Sequence, residues 1–529
     1  MQIVENRALQ FVTKKADQIT ALIPKSKVLE RNGEKARVLV NWGPEEWMLL
    51  RNLGIKNPPH PILGRYKWPG MYTPFDHQRT TAAFAAANTR CFILNEQGTG
   101  KTNAVAWAAD YLMTKGLVNR VLVVCPVSIM DTAWRADLFR TLMHRTVGIA
   151  AGTKRQREAA IAKDYEFVII NFDGVKVVYD ALANGGFDLI IIDEATAIKN
   201  AQTDRWKALN ALVKPNVRVW AMTGTPAAQS PLDAYGLAKL VNPTTVPRSF
   251  MQWRDKVMNK VTQFKWAPKP ESKQLVHEVL QPAIRFTKEE CLDLPDLLYT
   301  SREVEMTPQQ KKYYDAIKTH MVALAAGEEI TAANAATLLN KLVQISLGAV
   351  YTDTQEVIQF DVSARIAELM DIINGTEHKV LVFVPFRHVL DMLEDELNNR
   401  RLSMIGNDPN SFEVKHIHGG TPASQRAEII KDFQTQDRTK VLLLIPQAAG
   451  HGITLTRADQ IVWWGPITST EAYLQANARA HRAGQTNKVT VTHLQGSPVE
   501  RRMYAALQGK VDSHMDLVSL YKQEISDDA

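Results

Sequence analysis

The stretch Asn95-Glu96-Gln97-Gly98-Thr99-Gly100-Lys101-Thr102 decides how the rest of the chain is read. An apolar run, Cys91-Phe92-Ile93-Leu94, precedes it, and an Ala-rich segment with few helix breakers, Asn103 to Met113, follows. Strand, glycine-rich turn, Gly-Lys-Thr and helix is the order of a phosphate-binding loop. Glycines let the backbone turn so that several N–H groups face one point, and the start of a helix adds positive potential there. In such a loop Lys101 places its charge on the outer phosphates and Thr102 holds Mg²⁺. The general pattern G-x-x-x-x-G-K-[ST] opens on glycine, where this chain has Asn95. A chance turn ahead of a helix is the plain alternative.

From residue 71 onward the surroundings favour the loop. Val121-Leu122-Val123-Val124, Phe167-Val168-Ile169-Ile170, Leu189-Ile190-Ile191-Ile192 and Val217-Arg218-Val219-Trp220 are short, mostly apolar runs separated by helix-like segments. Parallel strands covered on both faces read this way, which predicts a doubly wound α/β domain with ligands at the carboxyl ends of its strands. Asp193-Glu194-Ala195-Thr196 stands directly after one run. A carboxylate there can hold the Mg²⁺ shell, and a second can orient or deprotonate an attacking water. A strand-to-helix cap by Asp193 is the bland reading. Thr223-Gly224-Thr225-Pro226, after the next run, puts two hydroxyls around a glycine, a polar hinge suited to sensing a γ-phosphate.

The totals set limits. At 529 residues the length predicts roughly three or four domains. A net charge of +7 suits a polyanionic partner, and suits solvated surface charge equally. Cys91, Cys125 and Cys291 are widely spaced and odd in number, and two of them sit inside apolar strand-like runs, which predicts buried thiols in a reducing compartment and neither a disulfide framework nor a zinc site. Met1-Gln2-Ile3-Val4-Glu5-Asn6 lacks the regions of a signal peptide, and no apolar run approaches the ~20 residues of a membrane span. The expectation is a soluble cytoplasmic protein with no membrane partner.

Residues 1–70 carry no nameable chemistry. Ala36 to Asn41 reads as a strand, Pro44 to Leu53 as a helix, and Asn57-Pro58-Pro59-His60-Pro61 as a linker. Trp47 and Trp68 suit either a core or base stacking, the former more readily. The α/β stretch is set at 71–245, a largely helical insertion at 246–355, and a second α/β unit at 356–498, with runs Val380 to Val384, Val441 to Ile445, Gln460 to Trp464 and Val489 to His493. That unit has no phosphate loop. Near its end Arg479 and Arg482 lie three apart, so on a helix they share a face and can serve a γ-phosphate as an arginine finger does. A solvated basic helix end is the alternative. Residues 499–529 read as a terminal helix or brace, Arg501 to Lys510 helical and Ser526 to Ala529 frayed.

In this order the motifs resemble those of superfamily-two helicase-like motors, specifically the Swi/Snf-type ATPases that translocate on double-stranded DNA. Gln78, within Pro74-Phe75-Asp76-His77-Gln78, stands where that family has its adenine-recognising glutamine. NEQGTGKT is similar to the family loop, whose first glycine is commonly replaced, so Asn95 is compatible with it. VLVVCPVSIMDTAW (121–134), VIINFDGV (168–175), DEAT (193–196) and MTGTPAAQSPLD (222–233) resemble motifs Ia, Ib, II and III, with Thr196 in place of the usual histidine. Leu280 to Lys288, with Leu294-Pro295, resembles the Swi/Snf-specific segment after the first lobe. KVLVFVPFRHVLDML (379–393), His418-Gly419-Gly420-Thr421 with Arg426, Ala448 to Leu455 and Gln475 to Gln485 resemble the second-lobe motifs. His451 and Trp463-Trp464-Gly465 resemble bacterial and phage members.

The resemblance covers residues 72 to about 510 and implies two RecA-like doubly wound parallel-sheet lobes with α-helical insertions and a small N-terminal module. It implies ATP and Mg²⁺ as cofactors. ATP would be held by Phe75, Gln78, Gln97, Gly98, Thr99, Gly100, Lys101, Thr102, Gly452 and Gln475, and the metal by Thr102 and Asp193. Glu194 would activate water, Arg479 and Arg482 would complete the site, and Thr223 and Thr225 would couple it to motion. Duplex DNA, forked or branched forms included, would meet the chain at Pro126, Ser128, Asn171, Gly419, Thr421 and Thr454, through phosphates and without reading sequence. The expected mechanism is cleft closure on ATP and reopening after hydrolysis, each cycle shifting one lobe along DNA. The leading expectation is a monomeric translocase that remodels or displaces bound structures, with residues 1–70 as the carrier of any protein partner. A strand-separating or branch-migrating helicase, and a nucleic-acid scaffold with an idle ATPase, are the alternatives.

Overall fold

The computed structural model describes the chain apart from residues 228–229, 262–265, 292–293, 328–331, 353–355, 405–411, 450–452, 483 and 510–529. Two compact units emerge, one of Met1–Ala227 with Pro231–Cys291, the other of Ala228–Ser230 with Leu292–Ala529.

The first unit opens with an antiparallel sheet of β1 (Gln2–Val4), β2 (Ala8–Thr13), β3 (Ser26–Asn32) and β4 (Lys35–Asn41), ordered β1-β2-β4-β3. Alternate residues of the two central strands, Leu9 and Phe11, then Ala36, Val38 and Val40, point inward against Ala16, Ile19 and Leu50 of two helices. That is the period of a sheet with one covered face. The strand expected over 36–41 and the helix expected from Pro44 are both present, as β4 and Pro44–Asn52. Trp42 and Trp47 donate their indole N–H groups to Pro59 O and Pro58 O, at 2.7 and 2.8 Å, so the proline-rich linker is fastened to this module. Trp68 packs edge-on against Trp107. Both Trp47 and Trp68 are therefore packing residues in this structure.

The same unit then builds β5 (Arg90–Ile93), β6 (Val121–Cys125), β7 (Val147–Ala150), β8 (Phe167–Asn171), β9 (Leu189–Ile192) and β10 (Arg218–Met222). A small antiparallel pair, β11 (Met258–Lys260) with β12 (Trp266–Pro268), follows, and then the two-residue β13 (Ala283–Ile284). The main sheet is parallel throughout, in the order β13-β5-β10-β9-β6-β8-β7. Val121, Val123 and Cys125 face one apolar layer while Leu122 and Val124 face the other. Burial on both faces explains why the strand sequence is continuously apolar. Cys91 and Cys125 are buried thiols whose ionisation burial pushes up.

The second unit holds β14 (Leu297–Glu303), the antiparallel pair β15 (Ala349–Tyr351) and β16 (Val357–Gln359), then β17 (Lys379–Phe383), β18 (Glu413–Ile417), β19 (Thr439–Leu444), β20 (Ala458–Trp463) and β21 (Val489–Gln495). Six of them form a parallel sheet ordered β14-β21-β20-β17-β19-β18. Val380 and Val382 face one core, Leu381 and Phe383 the other. The two parallel sheets are two RecA-like lobes, each with helices on both faces. The segment 246–355, expected as one helical insertion, is shared between the units. Helices Phe250–Val257 and Ser272–Val279 lie in the first, Pro308–Gly327 and Ala332–Leu347 in the second.

One buried ion pair fastens the second lobe. Arg365, on helix Ser363–Asn374, donates to Glu500 at 2.8 and 3.1 Å and to Trp464 O. Glu500, on helix Pro498–Leu507, also accepts from Gly496 N at 2.7 Å and Ser497 Oγ at 3.0 Å. The terminal helix thus ends at Leu507, and the expected tail to Ala529 lies outside the described residues. Among the described residues no helix is long and apolar enough to cross a membrane.

Candidate nucleotide site

In the first lobe β10 lies between β5 and β9 with all three parallel. The phosphate loop, the Thr223–Pro226 turn and Asp193-Glu194 therefore leave the sheet along one edge, where α/β sheets bind ligands. Gly98 and Gly100 have φ of +85° and +74°, which only glycine adopts freely. Helix Lys101–Thr114 starts immediately after, with Thr102 in its first turn. Lys101 Nζ donates to Asn95 O at 2.9 Å and Glu96 O at 3.2 Å, and Thr99 Oγ1 to Glu96 O at 2.8 Å.

Gln78 lies against the loop: its Oε1 accepts from Phe75 N at 3.0 Å and its Nε2 donates to Gly100 O at 3.3 Å. A Cβ added at Gly100 would stand 2.0 Å from Gln78 Nε2. His77 bonds Thr99 O at 2.8 Å and stacks with the exposed Phe75 ring at 5.6 Å. Phe75, Gln78 and the loop are thus brought together.

Asn95, the departure from glycine, has a structural use. Its buried side chain donates to Thr81 Oγ1 at 2.8 Å and accepts from Phe286 N at 3.1 Å. The stretch around Phe286 is the one resembling the Swi/Snf-specific segment. It runs beside the loop strand as β13, continues with Glu96 N donating to Phe286 O at 2.9 Å, and ends with Lys288 N donating to Glu96 Oε2 at 3.1 Å. Arg285 pairs with Glu96 at 3.3 Å. The role of Glu96 as a clasp was not legible in the sequence, because its partners stand some 190 residues away.

Asp193 is buried, and both its oxygens are engaged. Oδ1 accepts from Glu194 N at 2.9 Å and Oδ2 from Trp134 Nε1 at 2.8 Å. Burial pushes its carboxyl up from the ordinary range, against the pull of the Lys101 charge and of these two donors. Glu194 has φ +50°, ψ +54°, a left-handed backbone that costs a non-glycine residue about 1–3 kcal/mol and gathers at working sites. Thr223 is buried, its N–H held by Ile93 O at 3.1 Å and its Oγ1 accepting from Thr225 N at 3.1 Å. A Cβ at Gly224 would meet Gln97 N at 3.4 Å, so turn and loop are in near contact.

These residues fit a magnesium nucleotide. Gln97 Oε1 and Thr225 Oγ1 are buried polar atoms without a hydrogen-bond partner, one on the loop and one on the adjoining turn. Such groups are costly unless a ligand satisfies them. Among the described residues no group of three or more His, Cys, Asp or Glu side chains forms a metal cage. Mg²⁺ needs none, since it takes one or two protein oxygens together with phosphate oxygens and water.

The remaining expected residues are dispersed. Pro126 and Ser128 lie on a surface turn after β6 that includes the exposed Val127. Asn171, at the end of β8, is buried and accepts from Arg157 Nη1 at 2.8 Å. In the second lobe, Thr421 Oγ1 accepts from His418 N at 3.0 Å beside the open Gly419, and Thr454 is exposed. Gln475 is buried on helix Thr470–Asn477 and donates to Glu471. Arg479 and Arg482 do not share a helix face, because that helix ends at Asn477 and both stand in the turns beyond it. Arg482 donates to Ile453 O at 3.2 Å. Gln485, which sequence reasoning passed over, fastens those turns by donating to Thr456 O, Ala458 O and Ala480 O. Gly452 lies outside the described residues, as do His451 and part of MTGTPAAQSPLD.

Comparison with known proteins places this geometry in a family. The SNF2-related domain matches residues 7–347, and the helicase conserved C-terminal domain matches residues 364–484. An uncharacterized ATP-dependent helicase of Mycoplasma genitalium is 27% identical over 411 residues, covering 75% of this chain and 37% of that protein. The SWI/SNF-related matrix-associated actin-dependent regulator of chromatin subfamily A-like protein 1 of Xenopus laevis is 27% identical over 446 residues, covering 80% and 42%. The chain therefore spans about two fifths of the length of these relatives. The Sulfolobus solfataricus SWI2/SNF2 ATPase core in complex with dsDNA superposes with a TM-score of 0.42 at 20% identity, covering 87% of this chain and 97% of that one. Relatives come from a bacterium, yeast, vertebrates and a plant, and do not favour the bacterial and phage members expected from His451 and Trp463-Trp464-Gly465. Those two tryptophans are core residues, with their indoles bonded to Asn477 and Leu347. With the SNF2-related domain matching well over half its length and the phosphate loop, paired carboxylates and two RecA-like lobes all in place, the chain belongs to the SNF2-related family.

Proposed function

We propose that this chain is a DNA-stimulated ATPase that moves along duplex DNA and displaces or remodels what is bound there. The observation that supports it most is the meeting of the phosphate loop with Asp193-Glu194 along one sheet edge, in a member of the SNF2-related family. On this reading Lys101, Thr102 and the loop glycines hold the triphosphate, with Phe75 and Gln78 beside the base. Thr102 and Asp193 would hold Mg²⁺, whose charge would offset that of the phosphate oxygens. Glu194 accepts a proton from the attacking water as its oxygen bonds the γ-phosphorus and the bond to ADP breaks. The roles of Arg479 and Arg482 as γ-phosphate partners, of Gly452 and Gln475 on the nucleotide, and of Thr223 and Thr225 in coupling rest on the family resemblance.

Duplex DNA as partner is supported by the resemblance and by the net charge of +7. Pro126, Ser128, Asn171, Gly419, Thr421 and Thr454 are the proposed backbone contacts. Asn171 would have to exchange its bond to Arg157 to take part. A monomer in the cytoplasm, with the β1–β4 module as the site of any protein partner, completes the reading.

The test is ATP hydrolysis without nucleic acid and with single-stranded, duplex and forked DNA and RNA, at two salt concentrations, beside Glu194→Gln. The expected result is strong stimulation by plain duplex, abolished in the variant and falling steeply with salt because counterions are released on binding. Stimulation by forks or single strands alone supports the helicase reading instead. No hydrolysis under any condition contradicts both.

A further inference from the structure

We infer that Trp134 is a positioning residue for the carboxylate proposed to hold the metal, and that it ties this carboxylate to the surface turn of Pro126–Ser128. The inference rests on the nucleotide reading of the site.

The indole bonds of this chain provide the contrast. Trp42, Trp47, Trp107, Trp206, Trp220, Trp253 and Trp464 each donate to a backbone carbonyl oxygen and Trp463 to the neutral side-chain amide of Asn477, the ordinary solutions for a buried indole N–H. Trp134 donates instead to Asp193 Oδ2, at 2.8 Å, and is itself fully buried. A hydrogen bond to a carboxylate is shorter and about twice as strong as a neutral one. The backbone N–H of Glu194 takes the other oxygen at 2.9 Å. With one donor on each oxygen the plane of the carboxylate is fixed, and both oxygens keep lone pairs for a cation or water.

The way Trp134 is carried supports the assignment. From the end of β6 the chain makes a short 3₁₀ turn, Val127–Ile129, then a π-helical stretch, Met130–Arg135, then helix Ala136–Thr141. π-helical winding is rare and gathers at functional positions, because it costs regular hydrogen bonding to re-aim a side chain. Ile129, Met130 and Leu138 pack with Trp134 in the core, while Val127 is 68% exposed. One continuous segment thus reaches the surface at one end and the Asp193 carboxylate at the other. A phosphate that displaces the turn acts on that carboxylate through a rigid indole.

The test is Trp134→Phe, which keeps an aromatic ring and removes the N–H. Equilibrium binding of a fluorescent ADP is measured in EDTA and then against Mg²⁺, with no DNA present. The variant is expected to bind metal-free ADP as the parent does while its Mg²⁺ half-saturation rises about tenfold, as for a lost bond to a charged group. Its hydrolysis should also respond less to duplex. An unchanged Mg²⁺ half-saturation, or an equal loss of metal-free binding, overturns the inference. If the parent shows no Mg²⁺-dependent binding at all, the nucleotide reading fails instead. Should the variant not fold, the parent labelled with ¹⁵N-tryptophan decides: with ADP, replacing Mg²⁺ by Mn²⁺ should broaden one indole N–H signal strongly. No broadened signal overturns the inference.

Discussion

Restoring the general pattern of the phosphate loop should damage this protein. Asn95→Gly would give the chain the glycine that G-x-x-x-x-G-K-[ST] calls for, yet it removes two hydrogen bonds, a buried one to Thr81 Oγ1 at 2.8 Å and a half-buried one from Phe286 N at 3.1 Å. Thr81 keeps a partner, since its hydroxyl also donates to His77 O at 2.7 Å, so that loss is worth about 1 kcal/mol. The Phe286 N–H loses its acceptor at a half-buried position, worth about 1–2 kcal/mol. Glycine's freedom in the unfolded chain adds about 0.5–1 kcal/mol. The sum is about 3 kcal/mol, or a fall of roughly 5 °C in the unfolding of a unit as large as the first. Asn95→Asp keeps an acceptor for Phe286 N but buries a carboxyl group with an oxygen facing Thr81 Oγ1, and should be no milder. Thermal and urea unfolding of the full chain provide the measurement. Refutation would be an Asn95→Gly protein that unfolds at or above the parent's midpoint.

Three further outcomes are expected. Arg365→Ala leaves the Glu500 carboxylate buried without its cation and should destabilise the second lobe by about 3–5 kcal/mol, whereas Arg365→Met with Glu500→Leu should cost far less; urea unfolding compares them. His60 lies buried between Trp47 and Tyr111, and burial lowers its pKa from 6.5 to about 3. The unfolded chain therefore takes up a proton near pH 6.5 that the folded chain refuses until about pH 3. Stability should fall across that window as the medium is acidified, by about 2 kcal/mol at pH 5, and His60→Phe should flatten the slope. Gly100→Ala sets a Cβ 2.0 Å from Gln78 Nε2 at a φ of +74°, and should abolish nucleotide binding in a fluorescent-nucleotide titration while the chain remains folded.

What was legible in the sequence follows burial. In the parallel sheets, β5, β6, β8, β9 and β10, then β17, β19, β20 and β21, were all readable, because strands covered on both faces are continuously apolar. The four that escaped, β7 and β13 in one sheet and β14 and β18 in the other, are the four edge strands. Leu297–Glu303 is mostly exposed and Ala283–Ile284 is two residues long, so neither carries an apolar run to notice. The loop and the Asp193-Glu194 pair were legible because each is a local arrangement of residue types at the end of a strand. Trp134 on Asp193, Phe286 on Asn95 and Lys288 on Glu96 join residues 59, 191 and 192 positions apart, and no local pattern announces them. The end of the helix at Asn477 was hidden for another reason: the residues that follow, Ala478 to Ala480, contain no breaker.

Movement along duplex DNA is tested most directly by displacement of a third strand from a triplex placed at the end of a plain, unforked duplex. A protein that tracks along duplex DNA strips the third strand without separating the two below it. Release is expected to require ATP hydrolysis, to be abolished by Glu194→Gln, and to need duplex leading up to the triplex. An active ATPase that leaves the triplex intact while it opens forked DNA would contradict translocation on duplex and establish strand separation in its place.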